Sequence, residues 1–476
     1  MDSSSNRSVP ATVRRWSLSE DTLVEGDPDG PLQVVSRWGE VHLGGADEVV
    51  RELLRRMSFG PVSLANIARG TGAVEQRLTG VLELLGGSLV HSLALHDGQA
   101  PLLSAVPVSP TAAFRSAPIP PGRPVRLSRF ATLRTVEGEL VVDAPGASYQ
   151  VHLHQPLATR VAAALGVPAP VHQLRPGSPA PTPVVADIVE FLVAAAVVVV
   201  GEPDGHFAED RDPVLRLWAH HELLFHTRSR SRHADPPSEA LVSGALAAPP
   251  TVCKPVPAGK RFPLPRPEPR PAGADEPSLT ALLESEHGCP ELSDRMLTLE
   301  QLGGLLYRSA RVRSVRPAYL HTGTSHEASQ RPYFNVACLY ELEIYVSVGR
   351  CAGLPEAVYH YDPLDHVLTM VNDDRAAPGI LLDMAKVAAG GVRRPPALLT
   401  LTSRMERVAW IFGGAAYATT LTHVGALQQT LYLVAKAMGL SAHAVPVDAS
   451  GTVDRLLRID SPAEVSVGEC VLDSLG

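Results

Sequence analysis

RPYFNVACLYELEIYVSV, residues 331–348, and LTHVGALQQTLYLVAKAMGL, residues 421–440, are the two stretches that decide the fold of the second half of this chain. In the first, a short loop runs into alternation: Leu342, Ile344 and Val346 fall on one face, the period of a strand. In the second, apolar residues cover most of a helical circumference, so the helix is buried. Gly439 supplies its C-terminal stop. Between them, 358–362 (VYHYD) and 366–370 (HVLTM) read as a hairpin over the turn 363–365, and 397–402 (ALLTLT) as a core strand. Upstream, 279–284 and 298–307 read as helices, the second capped by Thr298 with Glu300 in its first turn. Strands and helices mixed in this order predict an α+β domain.

Outward from that domain, proline divides the chain. Residues 227–277 carry so many prolines, from ADPPSEAL to PLPRPEPRP, that neither a helix nor an inner strand can persist, and they read as an extended spacer. Before them the chain reads as two small winged-helix-like units, at 31–110 and 125–226, after a disordered terminus at 1–30. The first has a strand at 33–43, helices at 47–57, 62–69 and 74–85, and a strand at 88–95. Val49, Val50, Leu53, Leu54 and Met57 keep the spacing of a buried helical face. The second has a hairpin at 131–143 turning at Glu137-Gly138, helices at 157–165 and 184–195, and a strand at 197–200. A DNA reader needs a basic recognition helix. Here the last helices carry Glu75, Arg77 and Glu83 in one unit and Asp187 and Glu190 in the other, which favours a peptide-docking β-edge over nucleic acid. Packing against the second half, or a dimer interface, is the plainer alternative.

Composition narrows the class. Hydrophobic content of 45% against 19% charged residues is ample for packed cores, and a net charge of −8 gives no reason to expect a nucleic-acid or membrane partner. Cys253, Cys289, Cys338, Cys351 and Cys470 are scattered, with no CxxC, so no disulfide framework or metal site is expected and a reducing cytoplasm fits. The apolar run 184–201 is broken by Asp187 and Glu190 and reads as a buried helix leading into a core strand. HHELLFH at 220–226 lacks HExxH spacing, because Phe225 stands where the second histidine would be.

The second half resembles the streptolysin-type (SagB-like) azoline dehydrogenases, on Arg331-Pro332-Tyr333, Tyr340-Glu341-Leu342-Glu343, Tyr359-His360-Tyr361-Asp362-Pro363 and Leu401-Thr402-Ser403-Arg404. The match continues through His423-Val424-Gly425, Gln429 and Tyr432 to Leu440. The order and spacing are kept across 278–476, and the two N-terminal units look like those preceding this domain in actinobacterial-type relatives. The resemblance implies a nitroreductase-like flavoprotein domain, FMN at a homodimer interface, and oxidation of thiazoline or oxazoline rings in a precursor peptide. It places Arg331, Phe334, Asn335, Val336, Ala337 and Gln429 near the cofactor.

Against that family the chain departs at four places. An Arg-Arg-Ser phosphate clamp is replaced by Glu284-Ser285-Glu286-His287-Gly288-Cys289, whose acids would repel a phosphate. A Pro-Ser-Gly-Gly-like loop becomes Phe334-Asn335-Val336-Ala337, without the glycines that tolerate positive φ. The Lys-Tyr of a Trp-Lys-Tyr element becomes Ile411-Phe412, neither able to exchange a proton. A Gly-rich turn becomes Val445-Pro446-Val447-Asp448. The departures imply that FMN is held weakly or lost. Two readings therefore stand: an oxidoreductase with an altered site, or a catalytically silent member that binds peptide or pairs with an active paralogue or a cyclodehydratase. Tyr333 and Tyr417 are the remaining candidate acids. His423 reads as a satisfied core histidine, and Cys338 has no basic neighbour to activate it.

Overall fold

The computed structural model describes residues 11–27, 30–44, 46–68, 72–177, 181–230, 249–268, 276–285, 292–293, 295–319, 325–447 and 451–474. The chain divides into two compact units, 1–234 and 235–476.

In the first unit a six-stranded antiparallel sheet runs in the order Thr12–Leu18, Leu89–Leu95, Pro101–Pro107, Tyr149–Leu153, Glu139–Asp143, Thr132–Val136. The helix Glu48–Met57 forms where expected, with the Asp47 side chain accepting from the Val50 N–H and Val50, Leu53, Leu54 and Met57 buried. Two hydrophobic cores result. One gathers Leu53, Leu54, Leu78 and Leu85, and the other Tyr149, Val151, Ile188, Phe191 and Leu192. The apolar run after Val184 is the helix Thr182–Ala194 followed by the strand Val198–Val200. Among the described residues no helix is long and apolar enough to cross a membrane.

Three expectations need correcting here. Residues 12–26, assigned to a disordered terminus, form two strands, because Thr12–Leu18 pairs residue for residue with Leu89–Leu95. Residues 33–43 are a hairpin, Leu32–Ser36 against Gly39–Leu43, rather than one strand, and Gly39 adopts φ +117° at its turn. The expected units 31–110 and 125–226 share one sheet, since Pro101–Pro107 pairs with Tyr149–Leu153. The cores are shared as well, since Leu93, Leu102, Leu103 and Ala105 pack into the core that holds Tyr149 and Phe191.

The second unit is a seven-stranded antiparallel sheet between two helical layers. Its strand order is Arg261–Pro263, Val367–Asn372, Ala357–Asp362, Leu342–Val348, Ala397–Arg404, Glu464–Ser474, Leu440–Val445. One face packs Leu342, Ile344 and Val346 against Leu302, Leu305 and Leu306 of the helix Leu299–Ala310 and against Leu427 and Leu431 of the long helix Ala416–Ala437. The other packs Tyr345, Val358 and Leu398 against Leu381 and Leu382 of Ala376–Ala388 and Leu457 of Thr452–Leu457. With both faces covered, every residue of Leu342–Val348 is buried. Thr298 caps its helix in a reciprocal box with Gln301.

Parts of the spacer expected at 227–277 are structured. Residues 231–248 and 269–275 lie outside the described residues, and the helix His220–Arg230 runs into the start of the stretch. Arg261–Pro263, however, is an edge strand paired with Val367–Thr369. Proline is tolerated there because one side of an edge strand needs no donor.

Candidate functional site

The loop 331–341 lies between the strand Ser325–Gln330 and the central strand Leu342–Val348. Arg331 turns inward, 7% exposed, and donates to the carbonyls of Val252 (3.1 Å) and Leu342 (3.5 Å) and to Ser329 Oγ (3.3 Å). Tyr333 is 3% exposed and packs edge-on against Tyr340 at 5.1 Å, and the Tyr340 hydroxyl donates to the Tyr333 carbonyl at 3.0 Å. The Tyr333 hydroxyl finds no partner among the described residues. It borders a narrow gap beside Arg331, Glu343 and Tyr361 that has no room for a water. Burial pushes the Tyr333 pKa up, against the opposing pull of Arg331.

At the heart of the loop are Asn335, Glu341 and His423. His423, on the long helix, is fully buried, and its Nδ1 stands 2.6 Å from Glu341 Oε1. The Val336 N–H donates to His423 Nε2 at 2.9 Å, so that nitrogen must offer a lone pair. The proton therefore sits on Nδ1 and is donated to Glu341. Asn335 Nδ2 donates to Glu341 Oε2 at 3.0 Å, and its Oδ1 accepts from the Tyr340 N–H at 3.0 Å. Burial raises the Glu341 pKa, but the bonds from His423 and Asn335 outweigh it and hold the carboxyl below its ordinary value. Both imidazole nitrogens are engaged, so His423 is a structural clamp between helix and loop. Ala337 and Cys338 take φ +56° and +53°, left-handed backbone that non-glycine residues adopt rarely.

A second buried cluster lies alongside. Glu343 pairs with His360 Nε2 (3.1 Å) and Arg404 Nε (3.0 Å); burial alone would raise its pKa, but Arg404 and His360 keep it lowered. Arg404 donates to the carbonyls of Thr251 (2.7 Å) and Val252 (2.9 Å). Arg407, fully buried on the helix Met405–Phe412, donates to the carbonyls of Leu339, Pro250 and Glu327. Burial, with Arg404 and Arg331 nearby, depresses its pKa to about 10. Lys254 bonds Glu464 and the Tyr345 hydroxyl. Residues 250–254 are thus a strap tied down by Arg331, Arg404, Arg407 and Lys254. They fall inside the stretch read as spacer, so sequence reasoning missed them. The one signal was VCK, an apolar residue and a lysine set between prolines.

The candidate site residues do not converge on one pocket. Phe334 (64% exposed), Val336 (37%) and Ala337 lie on the outer side of the loop, and Tyr417 (43%) and Gln429 are exposed on the long helix. The Val336–His423 bond joins that loop to that helix. Arg331 and Asn335 face the interior, bonded to groups of their own unit. Tyr333 is a buried side chain of the core. Ile411 and Phe412 are half-buried at the end of Met405–Phe412. Of the stretch 284–289, Glu284 is exposed at the end of Leu279–Glu284, and 286–289 lie outside the described residues, as does Asp448. His220 Nε2 stands 3.2 Å from Thr132 Oγ1 and His226 stacks loosely on Trp218, so HHELLFH is used in local packing.

Comparison with known proteins gives two family matches in one chain. The cyanobactin oxidase (ThcOx) family matches residues 125–235, and the nitroreductase family matches residues 335–471. An archaeal protein from Methanocaldococcus jannaschii, named as a nitroreductase, is 25% identical over 185 residues, covering 39% of this chain and 86% of its own. Among solved structures, a nitroreductase-type protein from Anabaena variabilis aligns with TM-score 0.36 and 19% identity, over 52% of this chain and 45% of that one. This chain thus spans less than half of the Anabaena protein. The Escherichia coli microcin synthetase complex with truncated pro-microcin bound aligns with TM-score 0.32 and 16% identity, over 44% of this chain and 77% of that one. The chain mixes helices and strands throughout, and its C-terminal part is a nitroreductase-like domain.

Proposed function

We propose that this chain acts in the maturation of a ribosomally made peptide, as an oxidoreductase converting thiazoline or oxazoline rings to thiazole or oxazole. The observation that carries this reading is the presence, in one chain, of a cyanobactin-oxidase segment and a nitroreductase segment. Aromatising such a ring removes a hydride and a proton, and FMN would supply the hydride acceptor. On this reading Phe334, Val336, Ala337 and Gln429 are the exposed residues left to face a cofactor and peptide.

The described residues do not fit an FMN on their own. Arg331 and Asn335 direct their polar atoms to other groups of the same unit, and Ile411 and Phe412 carry no transferable proton. That placement favours a second reading: a member without turnover that binds the precursor peptide or pairs with an active paralogue or a cyclodehydratase. The test is flavin absorbance of the full chain after gel filtration, followed by mass spectrometry of an azoline-bearing peptide incubated with protein and FMN. Retained flavin with loss of two hydrogens from the peptide supports the oxidoreductase. A colourless protein that leaves the peptide unchanged overturns it in favour of the silent member.

A further inference from the structure

Away from the 331–341 loop, the end of the helix Leu299–Ala310 opens onto a cleft of about 290 Å³ lined by Arg266, Tyr307, Arg311, Arg313, Leu364 and His366. Three of these are arginines, and none of the three forms an ion pair with a carboxylate among the described residues. The nearest acids are already engaged. Asp365 pairs with Arg261 at 3.0 Å, and Asp362 stands 3.6 Å from the same guanidinium while its Oδ1 accepts from the N–H groups of Leu364 and Asp365.

The cleft walls also hold the cations in place. Arg311 donates to the Tyr307 carbonyl at 2.9 Å and lies 4.7 Å over the Tyr307 ring, which orients its plane and leaves other N–H groups of the fork unused. Arg266 reaches only the Asp365 carbonyl, at 3.5 Å. The Arg313 side chain makes no bond among the described residues, although its backbone N–H donates to Gln330. His366 adds no donor to the cleft: its Nδ1 meets the Tyr361 hydroxyl at 2.9 Å and its Nε2 the Pro265 carbonyl at 3.1 Å.

Three guanidinium groups line this one cleft, Arg266 and Arg313 exposed and Arg311 half-buried. Left without a carboxylate partner among the described residues, they offer their N–H groups to a ligand anion. The planar forks suit phosphate oxygens, and the volume lies at the small end of ligand pockets. We infer that this cleft is a second binding site, taking a small molecule through its phosphate or pyrophosphate group.

The experiment is calorimetric titration of the full chain with inorganic pyrophosphate at low ionic strength, with tetraglutamate as the competing acidic-peptide probe. Saturable binding of pyrophosphate that weakens as salt is raised is expected. Arg311→Gln with Arg313→Gln should weaken it by about tenfold or more. Because Arg311 also closes its helix, Arg313→Gln alone is measured as well; it disturbs no bond of the fold and should still weaken binding several-fold. Arg160→Gln, in the other unit, should leave affinity unchanged. Absence of saturable pyrophosphate binding, affinity unchanged in both cleft variants, or tighter binding of tetraglutamate than of pyrophosphate would each overturn the assignment.

Discussion

Glu469 sits mid-strand between Thr400 and Val445 on the neighbouring strands, 5% exposed, with its Oε1 lacking a partner among the described residues. Burial pushes its pKa up from 4.5 to about 7; the Val447 N–H opposes this and Asp454 adds to it. The folded chain therefore binds this proton more tightly than the unfolded chain does. As pH rises from about 4.5, the unfolded carboxyl ionises freely while the folded one resists, so stability falls until about pH 7 and then levels. The shift corresponds to about 3 kcal/mol at most. Glu341 acts in the opposite sense. Its lowered pKa contributes stability above the ordinary carboxyl range, lost as pH falls through its folded value. Subtracting a Glu469→Gln variant isolates the first effect: the variant should gain on the wild type steadily between pH 4.5 and 7 in urea titrations. A flat difference across that window would show that Glu469 ionises normally.

At the scale of elements, the strap 250–254 and the helix Met405–Phe412 are one mechanical unit, because Arg407 reaches from the helix to carbonyls of three separate segments. Arg407→Met would fill much of the space yet leave those buried carbonyls unpaired, each worth roughly 1–3 kcal/mol. A loss of several kcal/mol in denaturant midpoint analysis is expected, together with early proteolytic cutting near 249–254; a loss below about 1 kcal/mol would mean the strap is held elsewhere. The strap also marks where sequence reading stops. The helix Ala416–Ala437 and the strands from Leu342 to Asn372 were legible because alternation, helical periodicity and turn residues agree within each. The helix Ala376–Ala388 was not anticipated: Pro378 and Gly379 break its pattern, although proline in a first turn removes no bond. The long strand Glu464–Ser474 was missed because Gly468 interrupts it at a register shift. The strap and its edge strand are held by long-range side-chain bonds, and a local window over a proline-rich stretch carries no trace of those. The same holds for the site. Motif order located the loop 334–337, but whether Arg331 and Asn335 face inward or outward depends on Val252 and Glu341, partners that motif spacing does not reveal.

For the whole molecule, the outer side of that loop sets the expectation. Phe334 and Val336 are exposed on it, and the Val336–His423 bond pins it to the helix on which Tyr417 and Leu421 (40% exposed) also face outward. Large apolar side chains exposed around one joined loop and helix are more than a monomer's scattered surface, and apolar area of this kind marks an interface. The chain is therefore expected to associate through this face, with itself or with a paralogue. Light scattering at micromolar concentration should give about twice the mass of one chain. Phe334→Asp with Leu421→Glu should return it to a single chain with little change in melting temperature, since both positions are at the surface. Separation of the two effects is what tests the idea, because a core defect would lower the melting temperature and dissociate the protein together. A wild-type protein that scatters as a single chain at that concentration would exclude self-association through this face. Loss of the double-variant contrast, with the dimer intact, would move the interface elsewhere on the molecule.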